Sequence, residues 1–175
     1  MDHLIEDPDL HGKTGVFFDR AEAGRMLAAR LRDLVEPSGI VLAIPAGGVP
    51  VACAVAREIG LPLDVLLSRK IPVPGNMEAG LGAVGPGGDV LLHERILEDL
   101  KLTAREINTQ VAETRRVLKQ RTRLFRGKRP EPDLSNRQVI LVDDGLATGY
   151  TMLAAVEYVR LKEARQVLVA APTAS

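Results

Sequence analysis

Two adjacent carboxylates, Asp143 and Asp144, stand directly before a short loop rich in glycine and threonine, which opens a helix near Tyr150. Four apolar residues precede the acids, and the stretch from Val139 to Thr151 reads VILVDDGLATGYT. The N-terminus of a helix, where backbone N–H groups are unpaired, favours a phosphate. Carboxylates repel phosphate but accept hydrogen bonds from hydroxyls, so the acids must address another part of the ligand. The stretch therefore predicts a ligand with a phosphate and a vicinal diol, as in ribose 5-phosphate.

The hydrophobic pattern predicts the strands and helices that hold these acids in place. Short, wholly apolar runs are typical of strands covered on both faces. They occur at Ile40–Ile44, Leu63–Leu67, Val139–Val142 and Val167–Ala170. Helical patterns alternate with them, beginning at the capping-box-like pair Asp19 and Glu22, near Val51 and near Tyr150. This alternation predicts an α/β fold: a Rossmann-like, mostly parallel sheet flanked by helices. Ligands of such sheets bind at the carboxyl ends of the strands, where the acids stand.

A β-hairpin and a long helix are predicted before the strand that carries the acids. The segments Gly80–Val84 and Asp89–His93 flank a Gly-Pro-Gly-Gly turn, which is typical of a hairpin. Thr103 and Glu106 then form a capping box, which begins a helix that ends near Gly127. Residues 105–129 hold nine Lys and Arg residues against two acids. Three interpretations stay open for this basic segment: a lid over the site, a solvated helix face, or, least favoured, a nucleic-acid surface.

Composition excludes several classes of protein. The chain has 175 residues, 23 basic and 23 acidic side chains, 3% aromatic residues and one cysteine. The length fits a single domain over residues 1–175. Zero net charge and few aromatics argue against a nucleic-acid partner, and one cysteine excludes an internal disulfide or a cysteine-rich zinc site. The N-terminus is no secretory signal, and prolines and glycines interrupt the one uncharged stretch long enough for a membrane helix. We therefore expect a cytoplasmic protein without membrane contact.

The thirteen residues from Val139 to Thr151 resemble the signature of the type I phosphoribosyltransferases, which has four apolar residues, two acids and a TGxT loop. Residues Ile40–Ala52 are similar to the first strand and pyrophosphate loop of that family. Ser68–Val84 resembles a stretch in a less characterised branch of predicted phosphoribosyltransferases. The resemblance implies a Mg²⁺-dependent pentosyl transferase, a glycosyltransferase of nucleotide metabolism that forms a homodimer. Such an enzyme transfers ribose 5-phosphate from 5-phosphoribosyl-1-pyrophosphate to a nitrogenous base and releases pyrophosphate. Family members recognise the base partly through their chain termini, so the resemblance also implies that the C-terminal part of this domain is short or truncated.

The resemblance also implies roles for individual residues. Asp143 and Asp144 would be the catalytic acids, engaging the ribose hydroxyls directly or through the water shell of Mg²⁺. The 5-phosphate would lie in the loop formed by Ala147, Thr148, Gly149, Tyr150 and Thr151. The pyrophosphate would bind to the backbone N–H groups of Ala46, Gly47 and Gly48. In family members this loop often contains a non-proline cis peptide bond. Arg69 and Lys70 are candidates for a further contact with the pyrophosphate.

One departure from the family pattern keeps a second function open. Many relatives carry Arg or Lys where this chain has Ala46, and that cation would help to neutralise the departing pyrophosphate. Without it, the chain is either an enzyme, with weaker turnover or with another cation such as Lys70 in this place, or a non-catalytic regulatory protein that binds phosphoribosyl pyrophosphate or a nucleotide. A receiver-like domain, which would use the acids for Mg²⁺ and phosphoacceptance, leaves the Thr-Gly-Tyr-Thr loop unexplained. No residue indicates which base is the acceptor.

Overall fold

A four-stranded parallel sheet positions the acid pair in the computed structural model, which describes residues 4–85, 88–92, 97, 100, 102–127, 129–147 and 149–174. Its strands are β1 (Ile40–Ala43), β2 (Leu63–Val65), β6 (Gln138–Val142) and β7 (Gln166–Ala170). They lie in the order β2-β1-β6-β7 and all pairs are parallel. Every residue of β1 and β6 is buried, because these central strands have a neighbour on each side and helices on both faces.

Helices cover the two faces of this sheet. The first face carries α1 (Arg20–Leu31) and α2 (Gly48–Ile59), which share a cluster with Val41 and Ile140. The opposite face carries α4 (Tyr150–Leu161), which packs with Leu42 and Leu141. Alternate residues of one strand thus serve opposite clusters, as the two-residue period of a strand requires. The predicted α/β fold, a mostly parallel sheet flanked by helices, is confirmed.

A smaller antiparallel sheet stands beside the parallel one. It consists of β3 (Arg69–Val73), β4 (Asn76–Val84) and β5 (Val90–Leu92), in that order. The predicted hairpin is present as the β4–β5 pair, although His93 lies outside the described residues. The basic helix α3 (Ala104–Arg126) packs on this sheet through Val111 and Leu118, and most of its cationic residues are exposed. Whether that exposed face is a lid or a plain surface stays a prediction.

Hydrogen bonds within one turn and the local backbone conformation mark the helix ends. Thr103 and Glu106 form the full capping box of α3, and Gly60 ends α2 in the left-handed conformation with φ of 73°. At α1, Asp19 accepts from the backbone N–H of Glu22, but the Glu22 carboxylate accepts from Phe18 N rather than from the cap itself. In the part of the chain that is described, no helix is both long enough and apolar enough to cross a membrane.

Candidate functional site

The ends of three parallel strands bring the acid pair to one edge of the sheet. The N–H of Ile44, just after β1, donates to the Val142 carbonyl at 2.9 Å. The N–H of Asp143 donates to the Ala170 carbonyl at 3.3 Å. Asp143 and Asp144 therefore leave the sheet between the segment after β1 and the segment after β7. This is the edge at which ligands bind in parallel sheets.

Asp143 is half-buried beneath the loop that follows β1. Its Oδ1 accepts a hydrogen bond of 2.8 Å from the backbone N–H of Asp144. Burial raises the pKa of Asp143 above its ordinary value, and the neighbouring Asp144 carboxylate adds to the increase. A cation or a hydroxyl donor would stabilise the ionised form, so this carboxylate is suited to meet one.

Asp144 holds an ion pair that the sequence does not indicate. Its Oδ2 accepts from Arg20 Nη2 at 2.7 Å and from Arg20 Nε at 3.0 Å. The Arg20 side chain is 60% exposed and that of Asp144 33% exposed, so solvent reaches both partners. Arg20 is the first residue of α1 and lies 124 positions from Asp144. The only local signal is Asp19, which marks the start of the helix but does not indicate what the next side chain contacts.

The loop after β1 packs directly against the acids. The Pro45–Ala46 peptide bond is cis, and Gly47 has helical dihedral angles. A Cβ on Gly47 would lie 2.2 Å from Asp144 Oδ2, and a Cβ on Gly48 would lie 2.8 Å from Asp143 Cα. Only glycine permits this approach. The Gly48 N–H already donates to the Ile44 carbonyl at 3.1 Å, so it is used inside the loop.

Two hydrogen bonds to the C-terminal segment hold the start of the loop that follows β6. The Leu146 N–H donates to the Thr173 carbonyl at 2.9 Å, and the Thr173 hydroxyl donates to the Asp144 carbonyl at 3.1 Å. Gly149 then adopts φ of 72° as the first residue before α4, which begins without a side-chain cap. The N-terminus of α4 thus keeps N–H groups of the kind that bind anions.

The predicted phosphate-binding residues fall only partly within the described structure. Ala147 and Thr151 are exposed, and Gly149 is partly exposed. Thr148 lies outside the described residues, and for Tyr150 only the backbone is described. The phosphate-binding role of this loop therefore stays a prediction.

Arg69 and Lys70 are placed by the smaller sheet. They open β3 and pair with Val84 and Ala83, respectively, of β4. The positive charge of Arg69 helps to lower the pKa of Glu113, after the hydrogen bond and charge of Arg116. Their predicted contact with pyrophosphate stays a prediction.

Ser68 lies just before β3. Its hydroxyl is buried and has no hydrogen-bond partner among the described residues. A buried polar group usually has a partner, so this hydroxyl is an exception among the described residues.

The acid pair can hold a divalent cation only with help from a ligand. Among the described residues, no group of three or more His, Cys, Asp and Glu side chains could hold a metal. Mg²⁺, however, usually keeps several waters and binds through one or two carboxylates together with substrate phosphates. Asp144 already holds a cationic group, the Arg20 guanidinium. The two aspartates therefore fit Mg²⁺ that arrives with a phosphorylated ligand.

Known proteins similar to this chain point to one family. Two curated proteins from two strains of Mycobacterium tuberculosis, provisionally named phosphoribosyl transferases, are each 39% identical over 157 residues. The match covers 90% of this chain but only 35% of theirs, so the chain spans about a third of these relatives.

Solved structures agree on the fold. A Thermus thermophilus protein of known crystal structure is 43% identical in sequence to this chain. The two structures have a TM-score of 0.84, and the match covers 90% of this chain and 75% of that one. A purine phosphoribosyltransferase from Pyrococcus horikoshii is 18% identical, with a TM-score of 0.52 over 89% of this chain and 73% of that one, and it supports the fold alone. The family model of the phosphoribosyl transferase domain matches residues 20–174, so the chain belongs to this family.

Proposed function

We propose that the chain transfers ribose 5-phosphate from 5-phosphoribosyl-1-pyrophosphate to a nitrogenous base and releases pyrophosphate. The observation that carries the proposal is the position of the Asp143–Asp144 pair. It lies against the glycine loop that follows β1 and directly before the segment that leads to the start of α4. Family membership supports the same reaction class.

In the proposed reaction, the bond between the anomeric carbon and pyrophosphate breaks as a bond to the base nitrogen forms. Asp143 and Asp144 orient the sugar by accepting hydrogen bonds from its two hydroxyls. The start of α4 anchors the 5-phosphate, and the loop at Gly47 meets the pyrophosphate. Fixed ends on both sides of the sugar hold the anomeric carbon for in-line attack, which is the main catalytic contribution expected of such a site.

The proposal includes Mg²⁺ at Asp143 and Asp144, through water. When bound, Mg²⁺ supplies charge neutralisation for the pyrophosphate. The chain's own contribution is the pair of partly exposed carboxylates, which can accept hydrogen bonds from the water shell of such an ion. The homodimer implied by the resemblance belongs to the same proposal, and light scattering of the purified chain measures it.

Titration calorimetry with Mg²⁺ and 5-phosphoribosyl-1-pyrophosphate tests the binding part of the proposal. We expect the double variant Asp143→Asn with Asp144→Asn to lose binding and to stay folded. A matched control is Asp89→Asn, since Asp89 also forms an exposed ion pair, to Lys162 at 3.0 Å, but in the connection between β4 and β5. Equal affinity in the double variant and the wild type would refute the assignment.

Pyrophosphate release, measured with a panel of purines, pyrimidines and their precursors, tests the catalytic part. Release with one acceptor identifies the base. Tight Mg²⁺-dependent binding of 5-phosphoribosyl-1-pyrophosphate, with no pyrophosphate release for any acceptor, would instead indicate the non-catalytic regulator. The physical reason would be that position 46 carries no cation to stabilise the departing pyrophosphate.

A further inference from the structure

We propose that Arg20 is the pyrophosphate-binding cation of this site and takes the place of the cation that Ala46 does not supply. In the structure its guanidinium rests on Asp144, against the loop at Gly47. On ligand binding the guanidinium would leave Asp144 for the pyrophosphate. This inference rests on the proposed function and names a residue that binds the leaving group.

The position of the guanidinium is the first argument. Arg20 Nη2 and Nε both donate to the same oxygen, Asp144 Oδ2, at 2.7 and 3.0 Å. The Cβ direction of Gly47 points at that same oxygen, 2.2 Å away. The cation therefore lies at the junction of the acid pair and the loop expected to hold the pyrophosphate. Among the described residues, Arg20 is the one basic residue that forms an ion pair with Asp143 or Asp144, and its partner is Asp144.

The exchange of partners is the second argument. A ribose hydroxyl or a metal-bound water that donates to Asp144 competes with Arg20 for the same carboxylate. The Arg20 side chain is 60% exposed, and ion pairs of such exposure are weak enough to exchange. Arginine presents planar donors that match phosphate oxygens, so the displaced guanidinium would find a better partner in the pyrophosphate.

This exchange predicts an asymmetry between ligands. Removing Arg20 should weaken every ligand that carries pyrophosphate, by about 10- to 100-fold for a lost charge-assisted hydrogen bond. Ribose 5-phosphate, which has no pyrophosphate, should bind as well as before or tighter, because Asp144 is then free of its competitor. A merely structural arginine would affect both ligands alike.

Calorimetry of the whole chain with Mg²⁺ and three probes tests this split: 5-phosphoribosyl-1-pyrophosphate, inorganic pyrophosphate and ribose 5-phosphate. The variants are Arg20→Ala, Arg20→Lys and the double variant Arg20→Ala with Ala46→Arg. We expect Arg20→Lys to keep part of the pyrophosphate affinity, and the double variant to regain it, because the cation returns on the neighbouring loop.

Arg30→Ala is the matched control. Arg30 lies on the same helix, its side chain is 62% exposed, and it pairs with Asp7 at 2.6 Å, away from the acid pair. We expect this variant to bind all three probes like the wild type. Thermal unfolding of each variant shows that it is folded, and Arg20→Lys keeps the test valid where Arg20→Ala fails to fold.

Two results would overturn the role of Arg20: equal loss of affinity for ribose 5-phosphate and pyrophosphate, or no loss for either. A wild-type protein that binds none of the three probes would refute the proposed function, and the role of Arg20 with it. If the wild type binds the probes and Arg20→Ala binds each of them with the same affinity, the role of Arg20 is refuted while the proposed function stands.

Discussion

Replacing Gly47 by alanine should weaken ligand binding while leaving the stability of the chain nearly unchanged. Gly47 has φ of −63° and ψ of −37°, a helical conformation that alanine adopts without strain. The added Cβ would nevertheless lie 2.2 to 2.4 Å from all three atoms of the Asp144 carboxylate group. Because carbon and oxygen atoms in contact stay at least 3.4 Å apart as a rule, the carboxylate must retreat by about 1 Å. The change thus displaces Asp144 without altering the acid itself.

The expected effect on stability is small. Alanine in a compatible backbone stabilises a protein by about 0.4–1 kcal/mol through the unfolded state. Loss of the exposed pair between Asp144 and Arg20 costs about 0–1 kcal/mol. These contributions offset each other, so the free energy of unfolding without ligand should stay within about 1 kcal/mol of the wild type.

The expected effect on ligand binding is large. A lost hydrogen bond to a carboxylate costs about 1.5–3 kcal/mol, which corresponds to about 10- to 100-fold in affinity. At a concentration of 5-phosphoribosyl-1-pyrophosphate 100 times the wild-type Kd, the ligand stabilises the wild type by about 2.7 kcal/mol. With affinity reduced 100-fold, the same concentration stabilises the variant by only about 0.4 kcal/mol.

Thermal unfolding of Gly47→Ala, with and without Mg²⁺ and ligand, measures both quantities in one experiment. Gly48→Ala is the comparison variant, since its Cβ would lie 2.7 Å from the Val142 carbonyl oxygen and 2.8 Å from Asp143 Cα. Backbone atoms cannot retreat as a side chain can, so Gly48→Ala should lose about 1–3 kcal/mol of stability even without ligand. A Gly47→Ala protein that ligand stabilises as strongly as the wild type would refute the placement of the ligand at Asp144.

Three further changes test other parts of the structure. Burial raises the pKa of Asp143 in the folded state above its unfolded value of 3.8. The protonated carboxyl therefore contributes stability below the unfolded pKa, and this contribution is lost as the pH rises through the raised folded pKa. Asp143→Asn should therefore raise the melting temperature of the ligand-free protein at pH 7 and reduce this pH dependence; an unchanged pH profile of melting would contradict the argument. Gly85→Ala places a Cβ 2.0 Å from the buried ring of Tyr158, so we expect a loss of about 1–3 kcal/mol in denaturant unfolding, and wild-type stability would show that the ring has room to move. Thr103→Ala removes the cap of α3 and should cost about 1 kcal/mol, whereas Thr103→Ser should restore it; equal melting temperatures for the two variants would exclude a capping role.

The sequence could predict those strands and helix ends that depend on residues close together in the chain. The apolar run before Asp143 predicts a strand buried on both faces, and β6 is buried throughout. Thr103 and Gly60 mark a helix start and a helix end because a cap depends on hydrogen bonds within one turn. The position of the acids at the end of a parallel strand follows from the same local pattern.

Two elements show where local signals mislead. Pro72 argues against a strand, since proline cannot donate to a sheet, yet β3 continues through it with an irregular register between Ile71 and Val73. Pro50 places the predicted start of α2 near Val51, but the helix begins at Gly48. Proline is tolerated in the first turn, where its missing N–H has no helical partner in any case.

The alternation of strands and helices and the position of two aspartates at a strand end follow from the amino-acid sequence, because periodicity and capping act between near neighbours. The contact of Arg20 with Asp144, and of the loop at Gly47 with the same carboxylate, follows only from the folded chain. Contacts between residues so far apart in the chain depend on how the strands order across the sheet. That order is set by the packing of the whole core, which no short segment of the chain encodes.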